Sequence, residues 1–146
     1  MQKVDARGAT LDFDDLQSAK SFGPMRAYGC SKLCNILFTR ELARRLRGTG
    51  VVNCLHPGFV ATRFGDQSGG SISHLTWFAK FFAISAAKGA ETIIYLASAP
   101  EVAETTGQYF YKCLPIAPSS LALDDRLASL LWQRSTALAE PRMAGD

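Results

Sequence analysis

The sequence predicts an α/β fold with an incomplete sheet, from the order of its helical and strand patterns. A long amphipathic helical pattern runs from Met25 to Leu46. Two short β-branched or aromatic runs, Val51–Leu55 and Gln108–Tyr111, come after it, with further helical patterns between and beyond them. Strands alternating with helices imply parallel β-α-β crossovers. Two strands alone make a poor independent sheet, because three or more strands, or extensive helix cover, are needed to hide an apolar face.

Each element has its own local reason. Residues 1–23 show no sustained period, so they read as loop with one helical turn around Phe13–Ala19. Pro24 suits the first turn of a helix. Behind it Leu33, Ile36, Leu37, Leu42 and Leu46 form an apolar stripe, closed by Gly48 and Gly50. Val51–Leu55 reads as a buried strand between Gly50 and His56-Pro57-Gly58. The segment Phe59–Ser73 has three glycines and no period, which suggests a long loop able to move over a ligand. From His74 to Ile84, Trp77, Phe78, Phe81 and Phe82 fall at helical spacings, the pattern of core or of a lid packed on a pocket rather than of a membrane anchor. Ser85 is placed to cap a helix reaching about Ala97. After Pro115 and Pro118, Ser119 or Ser120 caps a last helix whose buried face holds Leu127, Leu130, Leu131, Trp132 and Leu138.

Composition narrows the function classes. The chain has 146 residues, 47% hydrophobic and 20% charged, which fits one globular domain. A net charge of +3 is mild, and Arg40, Arg44, Arg45 and Arg47 cluster where they favour the negative end of a helix dipole, so a solvated helix end is expected and a nucleic-acid surface is not. No apolar run approaches the roughly 20 residues that a membrane span needs. Cys30, Cys34, Cys54 and Cys113 have no metal-ligand spacing, and Cys30 and Cys34 share a helix face as small packing residues. No metal site is expected, and a reducing, cytoplasmic setting is.

Tyr28-Gly29-Cys30-Ser31-Lys32 carries the chemistry. Residues four apart on a helix lie on one face, which brings an ammonium beside a phenol. A neighbouring cation favours the phenolate, so the pair suits proton transfer near neutral pH. Such spacings are common by chance, and this one gains meaning from its surroundings. The Val51–Leu55 strand follows directly, ending in His56-Pro57-Gly58-Phe59-Val60-Ala61-Thr62, and in doubly wound folds ligands lie at the carboxyl ends of strands. His56 itself, before a proline at a strand end, reads as a packed residue, and His74 has no partner by sequence.

This combination resembles the later half of a short-chain dehydrogenase/reductase. The run Tyr28 to Leu42 is similar to the retinol-dehydrogenase-like branch, as are Leu55-His56-Pro57-Gly58, Thr62-Arg63, Gly89-Ala90 and Gly107-Gln108-Tyr109-Phe110. The resemblance covers about residues 11–138. It implies a partial Rossmann-like fold, the C-terminal half of a doubly wound parallel sheet, and hydride transfer between NAD(P)(H) and an apolar alcohol, aldehyde or ketone. By that resemblance Tyr28 is the general acid or base, and Lys32 depresses its pKa and bonds the nicotinamide ribose. Pro57, Gly58, Val60 and Thr62 belong to the loop beside the nicotinamide and its phosphates, so Tyr28, Lys32 and these four form the cofactor-binding set.

The departures from that pattern are as informative. No glycine-rich turn of the kind that lays backbone amides on a pyrophosphate occurs before Tyr28. The family's substrate-binding serine has no counterpart either, since Ser18 and Ser21 follow the Leu11–Leu16 stretch that it should precede. Residues 1–146 are therefore expected to be a single incomplete domain lacking the N-terminal dinucleotide-binding half, and inactive alone. NADP and NAD remain open, because the residues that choose between them are absent. The alternative is a catalytically inactive module that self-associates or binds a partner through an exposed sheet edge or the first helix, which could make a homo-oligomer.

Overall fold

The computed structural model describes residues 3–6, 9–58 and 85–140. Two strands, β1 (Lys3–Ala6) and β2 (Ala9–Asp12), pair antiparallel with Ala6 opposite Ala9. Helix α1 spans Pro24–Arg45. Strand β3 (Cys54–Leu55), helix α2 (Ala86–Ser98), strands β4 (Tyr109–Tyr111) and β5 (Leu114–Pro115) and helix α3 (Asp125–Ala139) complete the set, with single 3-10 turns at Pro100–Val102 and Ser120–Leu123.

The parallel crossover expected from the element order is present. β3 and β4 run parallel, with Cys54 beside Tyr109 and Leu55 beside Phe110, and α2 lies between them in sequence. The ladder extends past the strand ends, through Gly107 N–H to Val52 O at 2.7 Å and His56 N–H to Phe110 O at 2.9 Å. Asn53 stitches its mouth: the side-chain amide donates to Thr105 O at 2.6 Å, and its carbonyl accepts from Gln108 N–H at 3.0 Å. Gly107 sits at φ +73, and a Cβ there would lie 3.1 Å from the Cβ of Ala43 on α1. The bare backbone lets the strand enter close beneath the helix.

The sheet has one strand more than the sequence pattern suggests. β5 pairs antiparallel with β4 through a two-residue turn at Lys112 and Cys113, both in the left-handed region, at φ 50 and 60. Such turns ordinarily carry Asn-Gly, so the pattern lacks its usual signal. The Cys113 N–H donates to the buried hydroxyl of Thr92, which ties this hairpin to α2 at 3.2 Å.

The N-terminal reading needs correction. Residues 3–12 form a hairpin rather than loop, and residues 13–20 form turns rather than a helical turn. Asp15 organises them, its carboxylate accepting from the N–H groups of Ala19 and Lys20, which satisfies backbone without helical bonds. The last helix also starts differently. Ser119 caps the 3-10 turn, and Asp124 caps α3 by accepting from Arg126 and Leu127 N–H. Ser85 caps α2 as expected, accepting from Lys88 N–H at 3.2 Å. The aromatic stripe at 77–82 lies outside the described residues.

The core lies between α1, α3 and the end of β2. Leu11, Phe13, Leu33, Leu37, Ala122, Ala128 and Leu131 are buried together, with Cys30 and Cys34 packed against them. Burial of this kind contributes about 25 cal/mol per Å² of apolar surface. Burial, then the neighbouring Cys30, pushes the Cys34 thiol up to about 11, the behaviour of a packing residue. Phe38 and Trp132 stack across the same helix pair at 5.2 Å, and Arg45 lies 4.5 Å over the Trp132 ring.

The arginine cluster is not the solvated helix end that its sequence suggests. Arg40 and Arg44 reach Asp125 on α3 at 2.9 and 3.0 Å, and Glu41, with its carboxylate buried, accepts from Arg44 and from Arg45 Nε. The helix places acid and base one turn apart, and α3 supplies the second acid.

Candidate functional site

Residues from α1, β3 and β4 converge on one cavity of about 420 Å³, lined by Tyr28, Lys32, Cys54, His56, Pro57, Gly58 and Tyr109, with Asn35, Ile36 and Leu55 behind them. It lies at the carboxyl end of β3, where strand and helix diverge and a parallel fold leaves room for ligands.

The helix dictates the first half of the site. Pro24 starts α1, so Tyr28 falls in its second turn with Lys32 on the same side. The Lys32 ammonium lies 5.2 Å from the centre of the Tyr28 ring. This is a cation over an aromatic face, and both side chains remain exposed to the cavity and solvent. The Ser31 hydroxyl donates to the Tyr28 carbonyl at 2.8 Å, so it is occupied with the helix backbone.

The strand end supplies the second half. Gly58 sits at φ +87, a conformation that side chains rarely adopt, directly after Pro57 fixes the exit of the chain. Both line the cavity. Of the six residues expected in the site, Tyr28, Lys32, Pro57 and Gly58 are thus brought together, while Val60 and Thr62 lie outside the described residues.

Six lining residues were not expected as site residues from the sequence, Tyr109, Cys54 and Asn35 among them. Tyr109 enters because β4 pairs with β3 and sets it beside Cys54. Its phenol is pushed up by burial, and further by the acidic groups of Cys54 and Tyr28 nearby. Cys54 is likewise pushed up by burial, against a lowering hydrogen bond from Thr39. Asn35 follows Lys32 by three residues on the same helix side. Only the Tyr109 aromatic in the Gly107–Phe110 run carried a signal, and the register was needed to interpret it. His56 stacks on Tyr111 at 5.3 Å but is exposed on the cavity wall rather than packed as expected. Among the described residues no group of three or more His, Cys, Asp or Glu could hold a metal ion.

A Tyr-x-x-x-Lys helix, a parallel strand and the Pro57-Gly58 exit around one cavity make this a partial α/β fold with a hollow at a strand's carboxyl end. Comparison with known proteins agrees. The chain is 45% identical over 134 residues to human retinol dehydrogenase 14, covering 86% of this chain and 38% of that protein. It is 41% identical over 131 residues to mouse retinol dehydrogenase 12, covering 88% and 40%, and 35% identical over 131 residues to the short-chain dehydrogenase TIC 32 A of Brassica napus, covering 88% and 41%. No protein-family model matches the chain. The stretch shared with these relatives is short-chain dehydrogenase/reductase sequence, of the retinol-dehydrogenase-like branch. The chain spans about two-fifths of the length of the curated relatives it matches.

Proposed function

We propose that this chain carries the proton-transfer wall of an NAD(P)-dependent alcohol or carbonyl oxidoreductase, as a single incomplete domain whose dinucleotide-binding half lies outside these 146 residues. The observation that carries this reading is the convergence of Tyr28, Lys32, Pro57 and Gly58 on one cavity.

The residues fit the nicotinamide end of such a cofactor. Lys32 offers an exposed ammonium on the cavity wall, and Gly58, without a Cβ and at φ +87, lets backbone approach a planar ring or a ribose. Val60 and Thr62, outside the described residues, belong to the cofactor-binding set by the family resemblance alone. A bound nicotinamide cofactor, NADP or NAD, supplies or accepts the hydride. In the reducing direction Tyr28 gives its phenolic proton to the substrate oxygen, which forms the new O–H bond as the carbonyl becomes an alcohol; in the oxidising direction the phenolate takes that proton back. Lys32 holds positive charge on the same wall, its ammonium over the Tyr28 ring. The substrate is an alcohol, aldehyde or ketone of apolar character. Four free thiols support a reducing, cytoplasmic setting. Among the described residues no helix is long and apolar enough to cross a membrane.

The test supplies the missing half in trans, using the dinucleotide-binding portion of a retinol dehydrogenase relative. The 146-residue chain alone shows negligible turnover with a small aldehyde, and the combination reduces it. Robust reduction by the pure chain would overturn the incomplete-domain reading, and no turnover by the combination would overturn the catalytic one.

A second reading rests on β3, which pairs with β4 on one side only among the described residues. Such an edge accepts another strand, so the chain self-associates. A monodisperse monomer in sedimentation at micromolar concentration rules this reading out.

A further inference from the structure

One face of α1 runs past two hollows. Tyr28, Lys32 and Ile36 follow one another at four-residue steps, which keeps them on one side of the helix over about 12 Å of its length. Tyr28 and Lys32 belong to the cavity of about 420 Å³ described above, and Ile36 lines both that cavity and a second one, of about 330 Å³, between α1 and the β4–β5 hairpin. The sheet repeats this arrangement. Tyr109 on β4 lines both hollows, with Cys54 in the first and Pro115 and Ile116 in the second.

The wall common to the two hollows is therefore one side chain from the helix and one from the sheet. Both are anchored. Ile36 is half-buried and packs against the core around Leu33 and Leu37. Tyr109 is held in register beside Cys54 of β3, and its carbonyl accepts from Ile116 N–H at 2.8 Å. Its neighbour Phe110 is buried on the other face of the strand, which leaves the Tyr109 ring on the cavity side. Beyond the wall the second hollow is mainly apolar, with Pro115, Ile116, Pro118 and Leu123 against two polar residues, Gln108 and Arg40.

We propose that Ile36 and Tyr109 form a partition that sets how long an alcohol or carbonyl substrate the Tyr28 cavity accepts. The polar end of the substrate lies at Tyr28, and its alkyl chain runs along α1 until it meets the pair. Packed side chains yield little, so a chain longer than the first hollow folds back or stays in water, and long substrates gain less than their apolar area would give them. Without the Tyr109 ring the two hollows join, and the chain covers apolar surface on the far side. As a statement about substrates this rests on the function proposed above.

The test measures the affinities of hexanol and dodecanol for the 146-residue chain by calorimetric titration, and assays both alcohols with the trans-completed enzyme. Tyr109→Ala raises the preference for dodecanol over hexanol by roughly tenfold or more relative to the parent, because the added methylenes then find apolar surface. Tyr109→Phe keeps the ring and the parent's preference. Tyr109→Ala combined with Ile116→Trp, which fills the second hollow, returns the preference to the parent's value. Ile36→Ala cuts the other half of the wall and shifts the preference in the same direction, so it decides the matter if circular dichroism shows Tyr109→Ala to be unfolded. An unchanged preference in the folded variants, or a gain that survives Ile116→Trp, overturns the partition. The affinities are read without turnover, so oxidation of neither alcohol by the trans-completed parent counts against the catalytic reading alone.

Discussion

Arg44 reaches from α1 to Asp125 in the first turn of α3, with Nη1 3.0 Å from Oδ2, while the same guanidinium bonds Glu41 on its own helix. One arginine thus holds two carboxylates and two helices together. Burial would raise the Glu41 carboxyl, but hydrogen bonds from Arg44 and Arg45 and their charges outweigh it and hold it below the usual carboxylate range. Asp125 is lowered chiefly by the hydrogen bond from Arg40, with the Arg44 charge assisting against burial.

A folded-state carboxyl held low contributes stability that is present above the unfolded value, about 4, and is lost as the pH falls through the folded one. The urea midpoint of the chain is therefore flat from neutral pH to about pH 5 and drops below about pH 4. Glu41→Gln flattens that acid limb and lowers stability at neutral pH by about 1–3 kcal/mol, because its buried partners lose a charged acceptor. Asp125, more than half exposed, has a smaller effect. An acid limb as steep in Glu41→Gln as in the parent chain would contradict this assignment.

The Gly107 backbone is required in two ways, by φ +73 and by a neighbouring Cβ at 3.1 Å. Gly107→Ala costs about 1–2 kcal/mol for the left-handed backbone, with the contact to Ala43 added. Equilibrium unfolding reads this directly. A stability equal to that of the parent would mean that β4 does not enter beneath α1 in this way.

Lys112 and Cys113 occupy the two left-handed positions of the β4–β5 turn without being the residues such a turn favours. Replacing them together with Asn-Gly relieves that strain and stabilises the chain by about 1 kcal/mol, since the backbone bond to Thr92 is kept. The urea midpoint rises; a fall would place the turn in another conformation.

For the proposed chemistry, Tyr28→Phe removes the only proton the phenol can give. Turnover of the trans-completed enzyme falls by about 10²–10⁴-fold, the usual worth of general acid–base catalysis, with little change in the unfolding midpoint because Tyr28 is exposed. Lys32→Arg keeps the charge but substitutes a planar fork, and it loses a large part of the rate. Steady-state assays of both variants decide the matter, and full activity in Tyr28→Phe would remove Tyr28 from the mechanism.

Much of this was written locally. Pro24, the leucine stripe and the following glycines are short-range signals, and α1 emerged one residue from each expected end. The Tyr28–Lys32 pairing follows from helical pitch alone, and Pro57-Gly58 announces a turn wherever it stands. The parts that escaped were those whose cause lies far away in the chain. Leu114–Pro115 becomes a strand only because β4 is already beside it. The hairpin at 3–12 is fixed by pairing across two short, weakly patterned runs.

The sequence by itself determined the α/β order, the long helix and the types of residue that could move a proton, because these depend on side chains a few positions apart. Only the tertiary structure decided which of them meet. The parallel register set Tyr109 beside Cys54 and put both in the Tyr28 cavity, and the docking of α3 turned an apparent solvated run of arginines into a clasp. Those outcomes turn on contacts across 50 to 85 residues of chain, where no local propensity reaches and only packing and charge pairing choose.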